Sequence, residues 1–158
     1  MKIIFLDMDG VLCTYRATTA VREKGLMTYL DPIAVKLIER LVVDCSATIV
    51  ISSTWRRHKS KEQMKEVFKA AGAWAIADAF HTEWATPLGN LRGAEIDSWL
   101  TTAVNVRGEN IEKYVILDDM DEFFADQHEF FVECNTHDGI GFKEYLRARY
   151  LLTGERHE

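Results

Sequence analysis

The stretch "KIIFLDMDGVL", residues 2–12, opens with an apolar run and then places two carboxylates two residues apart. An uninterrupted apolar run of this length is typical of a strand buried in a parallel sheet. Because acidic side chains are costly to bury, we expect Asp7 and Asp9 beyond the strand end, at the mouth of a site. Gly10 follows them and permits a tight turn.

Three later segments repeat the apolar strand pattern. "ATIVISS" (residues 47–53) ends in two serines, "KYVILDD" (113–119) ends in two aspartates, and "FFVEC" (130–134) is shorter. Apolar residues at helical spacing predict helices between the strands. These helices are predicted to start at Pro32 behind an Asp31 cap, after Ser60 in a capping box with Gln63, at Arg92, and near Gly141. Residues 73–91 are expected to hold a short strand or a loop.

Strands that alternate with helices predict an α/β fold of three layers, a Rossmann-like parallel sheet with helices on both faces. In such sheets ligands bind beyond the carboxyl ends of the strands. This rule gathers residues that are distant in sequence. They are Asp7 and Asp9, Ser52 and Ser53, and Asp118 and Asp119.

The composition bounds the class of protein. A chain of 158 residues is expected to form one domain, residues 1–158, and a net charge of −6 does not indicate a surface coated for nucleic acid. Cys13, Cys45 and Cys134 form neither a disulfide framework nor a zinc motif, which favours a reducing, cytoplasmic setting. No apolar stretch approaches the ~20 residues of a membrane span, so no membrane partner is expected.

Carboxylates and hydroxyls at one sheet edge suit a hard cation such as Mg²⁺, which prefers oxygen ligands. A carboxylate can also attack phosphorus and form an aspartyl phosphate. The candidate metal ligands are Asp7, Asp9, Asp118 and Asp119.

In their order and spacing, these segments resemble the motifs of the haloacid dehalogenase (HAD) superfamily. "DMDGVL" (7–12) is similar to its first motif, "IVISS" (49–53) to its second and "VILDD" (115–119) to its fourth, while Arg92 stands where the third motif has Lys or Arg. "SSTWR", "RGAEIDSWL" and "FFVECNTHDGIGF" further resemble small phosphatase domains of RNA-repair proteins, and the 3′-phosphatase part of polynucleotide kinase-phosphatases.

The resemblance implies roles for the first motif. Asp7 attacks the phosphorus, and Asp9 protonates the leaving oxygen and then deprotonates the water that hydrolyses the aspartyl phosphate. This division needs the pKa of Asp9 to be raised relative to that of Asp7. The backbone N–H groups of the turn at Met8 and Gly10 are expected to bind the phosphoryl oxygens. The backbone carbonyl of Asp9 is expected to face the metal.

The other motifs receive roles in the same way. Ser52 is expected to donate a hydrogen bond to the phosphoryl group, and Arg92 to stabilise its charge. Asp118 is expected to bind Mg²⁺ directly, and Asp119 to be a ligand or to lie just behind one.

The stretch "TWRRHKSK", residues 54–61, follows the second motif and is basic. Ser53, Arg56 and Arg57 are candidate substrate contacts, because a basic patch at the rim would attract a nucleic-acid backbone. A solvated loop is the alternative. Trp55 is expected to pack rather than to stack on a base. Three tryptophans are expected in the core, namely Trp74, Trp84 and Trp99.

The expected function is a Mg²⁺-dependent phosphomonoester hydrolase whose leading substrate is a phosphorylated nucleic-acid 3′ end. The segment between Val11 and Asp31 is too short for a large folded cap, which favours a bulky substrate. One alternative is a nucleotidase or small-molecule phosphatase of the same superfamily. Outside the enzymes, the alternatives are a phosphorylatable receiver-like domain and an inactive binding domain. The sequence leaves the oligomeric state open.

Overall fold

The computed structural model describes residues 1–21, 29–89 and 91–156. In this part of the chain, five strands form one sheet in which all neighbouring pairs are parallel. The order β3-β2-β1-β4-β5 places β1 in the middle. The strands are β1 (Lys2–Leu6), β2 (Ala47–Ile51), β3 (Phe80–Ala85), β4 (Lys113–Asp118) and β5 (Phe131–Glu133).

Helices cover both faces of the sheet. They are α1 (Tyr15–Val21), α2 (Pro32–Cys45), α3 (Lys61–Ala70), α4 (Trp74–Asp78), α5 (Arg92–Asn105) and α6 (Phe142–Thr153). The apolar sides of α2, α3, α4 and α6 share one core, while α5 builds a second core on the opposite face. The predicted three-layer α/β architecture is therefore confirmed. Two 3₁₀ turns, Thr54–Arg57 and Ala125–Phe130, follow β2 and precede β5.

Two helices begin at the caps that the sequence predicts. The Asp31 carboxylate accepts hydrogen bonds from the backbone N–H groups of Ile33 and Ala34, and Pro32 occupies the first turn of α2. Ser60 and Gln63 form a reciprocal capping box at the start of α3. These side chains satisfy N–H groups that a helix start leaves without partners.

Residues 73–91 contain α4 and β3. Trp84 is partly buried against the core and Trp99 is buried, as expected. Trp74 is 57% exposed, so the prediction that it lies in the core is wrong. It opens α4 at the surface, where the Nζ of Lys69 lies 5.5 Å from its ring centroid, a cation–π contact that needs no burial.

Strand register sets out the functional residues in one row. Leu6, at the end of β1, is opposite Ile51 of β2 and Leu117 of β4. Because parallel strands in register stay level, the next residue of each strand lies at the same height. Asp7, Ser52 and Asp118 are these three residues, and we call them the central row.

The central row lies on the α5 side of the sheet. Side chains alternate along a strand, and the residues two positions earlier are Phe5, Val50 and Ile116. All three belong to the core that α5 covers. The helix that begins with Arg92 therefore covers the same face as the row.

Among the described residues, no helix is long and apolar enough to cross a membrane. The cysteines are free thiols, with Cys13 half-buried and Cys45 and Cys134 buried. Burial raises the pKa of the Cys13 thiol to about 12, which keeps it protonated and weakly reactive. The expectation that no large cap follows the first motif lies partly outside the described residues.

Candidate active site

Three carboxylates meet at the carboxyl ends of β1 and β4. One oxygen from each of Asp7, Asp118 and Asp119 lies within 4.8 Å of the other two. Asp118 accepts a hydrogen bond from the backbone N–H of Met120 at 3.0 Å, and Asp119 accepts one from the hydroxyl of Thr136 at 2.8 Å. We call these three acids the carboxylate group. Oxygen donors gathered in so small a volume are the ligands that Mg²⁺ takes.

Burial dominates the electrostatics of this group. It raises the pKa of Asp7 to about 6, although the Arg92 guanidinium opposes the shift. Burial, together with the neighbouring Asp7 charge, raises the pKa of Asp118 to about 7. The pKa of Asp9 is also raised by burial, against a hydrogen bond from Trp55. Both acids of the first motif therefore have raised pKa values, mainly through burial, and the expected order of the two values stays a prediction.

Arg92 reaches over the carboxylate group from the first turn of α5. Its Nη1 lies 3.6 Å from Asp7 Oδ1 and 3.8 Å from Asp118 Oδ2. Both distances exceed a hydrogen bond, and this buried nitrogen has no hydrogen-bond partner among the described residues. Since buried donors are nearly always paired, this N–H group is available to a further acceptor, and the expected contact of Arg92 with a phosphoryl group stays a prediction.

Two serines follow β2 and have different partners. The hydroxyl of Ser52 is buried without a hydrogen-bond partner in the described chain, and so is that of Thr86, which follows β3. The Ser53 hydroxyl accepts a hydrogen bond from the backbone N–H of Trp55 at 3.3 Å. A hydrogen bond from Ser53 to Asp7 lowers the pKa of that carboxyl. Ser52 is thus free for a ligand, while Ser53 supports Asp7. Thr86 is not among the candidate residues predicted from the sequence, although it too directly follows a strand.

The turn after Asp7 is built around Gly10. Its φ is +77°, and a Cβ at this position would collide with the carboxylate of Asp119, so only glycine fits. The Gly10 N–H donates to the carbonyl of Cys13 at 2.8 Å. It is therefore not free for a phosphoryl oxygen, contrary to the prediction. The Met8 N–H lies against Asp7 and lowers the pKa of its carboxyl, while a substrate contact by Met8 stays a prediction.

Asp9 turns away from the carboxylate group toward Trp55. The indole N–H lies 3.1 Å and 3.2 Å from the two carboxylate oxygens of Asp9. Trp55 is half-buried against the core, and the Nζ of Lys59 lies 5.7 Å from its ring centroid. Trp55 packs, as expected, but it also positions Asp9. The sequence shows that Trp55 follows the second motif, yet nothing in it indicates the direction of the indole N–H.

Comparison with known proteins identifies the family. Residues 3–144 match the family model described as the HAD domain in Swiss Army Knife RNA repair proteins. The chain belongs to this HAD family. No curated protein and no solved structure matches it. Membership implies a hydrolase, and the carboxylate group offers the oxygen ligands that suit the Mg²⁺ generally used by HAD proteins.

The two arginines of the basic stretch differ in this HAD domain. The side chain of Arg56 is 3% exposed and forms a 2.6 Å ion pair with Glu95. Its remaining N–H groups donate to the backbone carbonyls of Ser52, Ser53, Thr86 and Pro87. Arg56 therefore joins the loops after β2 and β3 to α5, and the prediction that it contacts substrate does not fit its placement. Arg57 is exposed and lines a small cavity with Arg92, so its substrate contact stays a prediction.

The HAD domain opens to solvent through a cavity of about 280 Å³. Asp7, Asp9 and Arg92 line this cavity. Tyr15 and Met120, which are both exposed, line it as well. A volume near the lower limit of small-ligand pockets accommodates one phosphate ester with part of the group that carries it.

Proposed function

We propose that this HAD domain is a Mg²⁺-dependent phosphomonoester hydrolase that forms an aspartyl phosphate on Asp7 and acts on 3′-phosphate ends of nucleic acids. The observation that carries the proposal is the pair of buried, unpartnered donors, Ser52 Oγ and Arg92 Nη1, beside the carboxylate group. Donors without an acceptor, next to crowded carboxylates, fit an anion bound together with a cation. A phosphoryl group with Mg²⁺ meets both requirements.

The described residues fit the metal ion. Asp7, Asp118 and Asp119 would hold it, since their oxygens already converge within 4.8 Å. When bound, the ion neutralises negative charge on the nucleophile and on the phosphoryl group. The fit rests on the donor set, because hard oxygen donors are the ligands that Mg²⁺ prefers.

The side chains of the HAD domain then divide the chemistry. A carboxylate oxygen of Asp7 attacks phosphorus, and the P–O bond to the leaving group breaks. Asp9 gives its proton to the leaving oxygen. Asp9 next takes a proton from water, whose oxygen attacks the phosphorus of the aspartyl phosphate and releases phosphate and free Asp7. Ser52 and Arg92 donate hydrogen bonds to the phosphoryl oxygens throughout.

The choice of a nucleic-acid substrate rests on two observations. The matching family is described as a domain of RNA repair proteins. Arg57 is exposed beside Arg92, where it can meet a second phosphate of a polynucleotide. A nucleotidase is the second candidate, because the cavity of about 280 Å³ accommodates a phosphate ester with part of the group that carries it, and a mononucleotide offers such an ester.

A substrate panel tests the proposal. We expect the protein to hydrolyse a 3′-phosphorylated RNA oligonucleotide faster than a 5′-phosphorylated one, a 3′-mononucleotide or an aryl phosphate. EDTA should abolish turnover and Mg²⁺ should restore it. Asp7→Asn should lose at least about 1,000-fold in kcat, while its melting temperature should stay at or above that of the wild type, because a buried charge is removed.

Each alternative has its own outcome. Equal or faster turnover of mononucleotides would favour the nucleotidase. A long-lived phosphoprotein without turnover would favour the receiver-like domain. Activity that survives in EDTA or in Asp7→Asn would overturn the mechanism.

A further inference from the structure

An exposed aromatic pair stands beside the active-site cavity. Tyr15 lines the cavity and is 60% exposed. Its ring centroid lies 5.4 Å from that of His137, with 37° between the ring planes. Neither residue takes part in the chemistry described above. An aromatic ring open to solvent offers a flat surface on which a nucleobase can stack.

The chain holds the backbone on both sides of Tyr15 in place. Thr14 is 2% exposed, and its hydroxyl donates to Asp31 Oδ2 at 2.9 Å. Arg16 donates to the same oxygen at 3.0 Å and 2.8 Å. Asp31 is itself the cap of α2, so both neighbours of Tyr15 are tied to the start of that helix. The backbone that carries the Tyr15 ring is therefore preorganised, which reduces the conformational entropy lost when a ligand binds there.

His137 is fixed in the same way. Its carbonyl accepts a hydrogen bond from the Arg16 N–H at 2.9 Å, and its own N–H donates to the side chain of Asn135 at 2.8 Å. Gly139 has a φ of +71°, and a Cβ there would collide with the carbonyl of Val11. The loop that carries His137 therefore packs directly on the turn after Asp7, and the aromatic pair keeps a set position relative to the nucleophile.

From this placement we propose that Tyr15, backed by His137, is the stacking platform for the base of the terminal nucleotide. The inference rests on the proposed function and adds a recognition subsite to it. The phosphate occupies the end of the cavity at Asp7 and Arg92, and the base lies on Tyr15. Stacking accepts every base, because each one has a π-face. The subsite therefore selects nucleotides over other phosphate esters without selecting a sequence.

Two substrates isolate the stacked base. Both are 3′-phosphorylated oligonucleotides of one sequence, and they differ only in whether the terminal residue carries a base or is abasic. We expect the wild type to favour the base-containing end by about 10- to 100-fold in kcat/KM. Tyr15→Ala should lose this preference and keep the wild-type rate on the abasic end, while Tyr15→Phe should retain the preference.

Tyr150→Ala is the matched control, because Tyr150 is an exposed tyrosine of α6, and it should leave the preference unchanged. Turnover of acetyl phosphate, which has no ring to stack, shows that each variant keeps its catalytic residues intact. Equal wild-type rates on the two oligonucleotides, or a preference that persists in Tyr15→Ala, would overturn the platform and leave the proposed function standing. Turnover of acetyl phosphate with neither oligonucleotide hydrolysed would overturn both.

Discussion

Arg56 and Arg92 lie at the same end of the sheet, and both approach the carboxylate of Glu95. Arg56 is paired with Glu95 at 2.6 Å and donates to four backbone carbonyls. Arg92 keeps distances of 3.6 to 3.9 Å to its acidic neighbours, and its Nη1 has no hydrogen-bond partner in the described chain. Position and charge do not separate the two residues. The completeness of their hydrogen bonding does, since every described contact of Arg56 is short and direct while Arg92 keeps an unpaired donor beside the carboxylate group.

The largest expected effect comes from removing Arg56, the arginine whose hydrogen bonds are complete. Arg56→Met should lower the free energy of unfolding by about 3–5 kcal/mol, because Glu95 loses its 2.6 Å partner and keeps only Arg92 at 3.9 Å, which leaves a poorly compensated buried charge. Urea unfolding followed by circular dichroism measures this change. Adding Glu95→Gln should restore part of the loss, since it removes the orphaned charge. A change below about 1 kcal/mol would contradict a structural role for Arg56.

Arg92→Met removes the arginine whose hydrogen bonds are incomplete. We expect kcat to fall by about 100- to 1,000-fold, as for the loss of a donor that stabilises transition-state charge. The free energy of unfolding should fall by less than in Arg56→Met, because no hydrogen bond to Nη1 is lost and only the 3.6 and 3.8 Å contacts with Asp7 and Asp118 disappear. Steady-state kinetics and urea unfolding on the same sample test both statements. Arg92→Lys should recover part of the activity. A loss of stability as large as that of Arg56→Met would contradict the distinction between the two arginines.

Trp55→Phe extends the comparison to a residue that is both packed against the core and hydrogen-bonded to Asp9. The substitution keeps the packing and removes the N–H that holds Asp9. We expect kcat to fall by about tenfold, consistent with a hydrogen bond to a charged group. Trp74→Phe is the control, because Trp74 is exposed on α4. Equal activity of the two variants would show that Trp55 only packs.

The smallest expected effect concerns pH. The pKa of Asp7 and Asp118 is raised in the folded protein from 3.8 to about 6 and about 7. Between pH 4 and pH 7 the native state therefore holds protons that the unfolded chain has released, so the contribution of these groups to stability falls as pH rises. In EDTA, we expect this to lower the melting temperature by a few degrees.

Asp118→Asn isolates that contribution, since it removes a titrating member of the carboxylate group and should flatten the decline. The comparison is needed because His81 acts in the opposite sense. Burial lowers the pKa of His81, so its contribution to stability grows as pH rises toward 6.5. Mg²⁺ should raise the melting temperature more at pH 7.5 than at pH 5, where protons compete for the carboxylates. Identical slopes in wild type and Asp118→Asn would contradict the assignment.

The sequence predicted the central strands and the capped helices because those features are local. Apolar runs ended where β1, β2 and β4 end, and the caps at Asp31 and Ser60 involve residues only two or three positions apart. The secondary structure of residues 73–91 was harder to predict, because α4 has five residues and β3 is an edge strand with irregular pairing. Neither element is long enough to show a clear period.

Within the candidate site, the rule for strand ends correctly brought together Asp7, Ser52 and Asp118. It failed where the outcome depends on the direction of a side chain or an N–H group. Arg56 turns inward to Glu95, Trp55 turns toward Asp9, and the Gly10 N–H is used within its own turn. Such directions follow from tertiary packing, which residue type and spacing do not encode.

The register of β1 against its two neighbours has a consequence for quality control. A slip of one residue in β2 or β4 would move Ser52 or Asp118 to the opposite face of the sheet, and the central row would no longer exist. A molecule with this register error can then keep much of its helix and strand content while being catalytically inactive. Specific activity would therefore report the fraction of molecules with correctly aligned strands, which circular dichroism alone would not reveal.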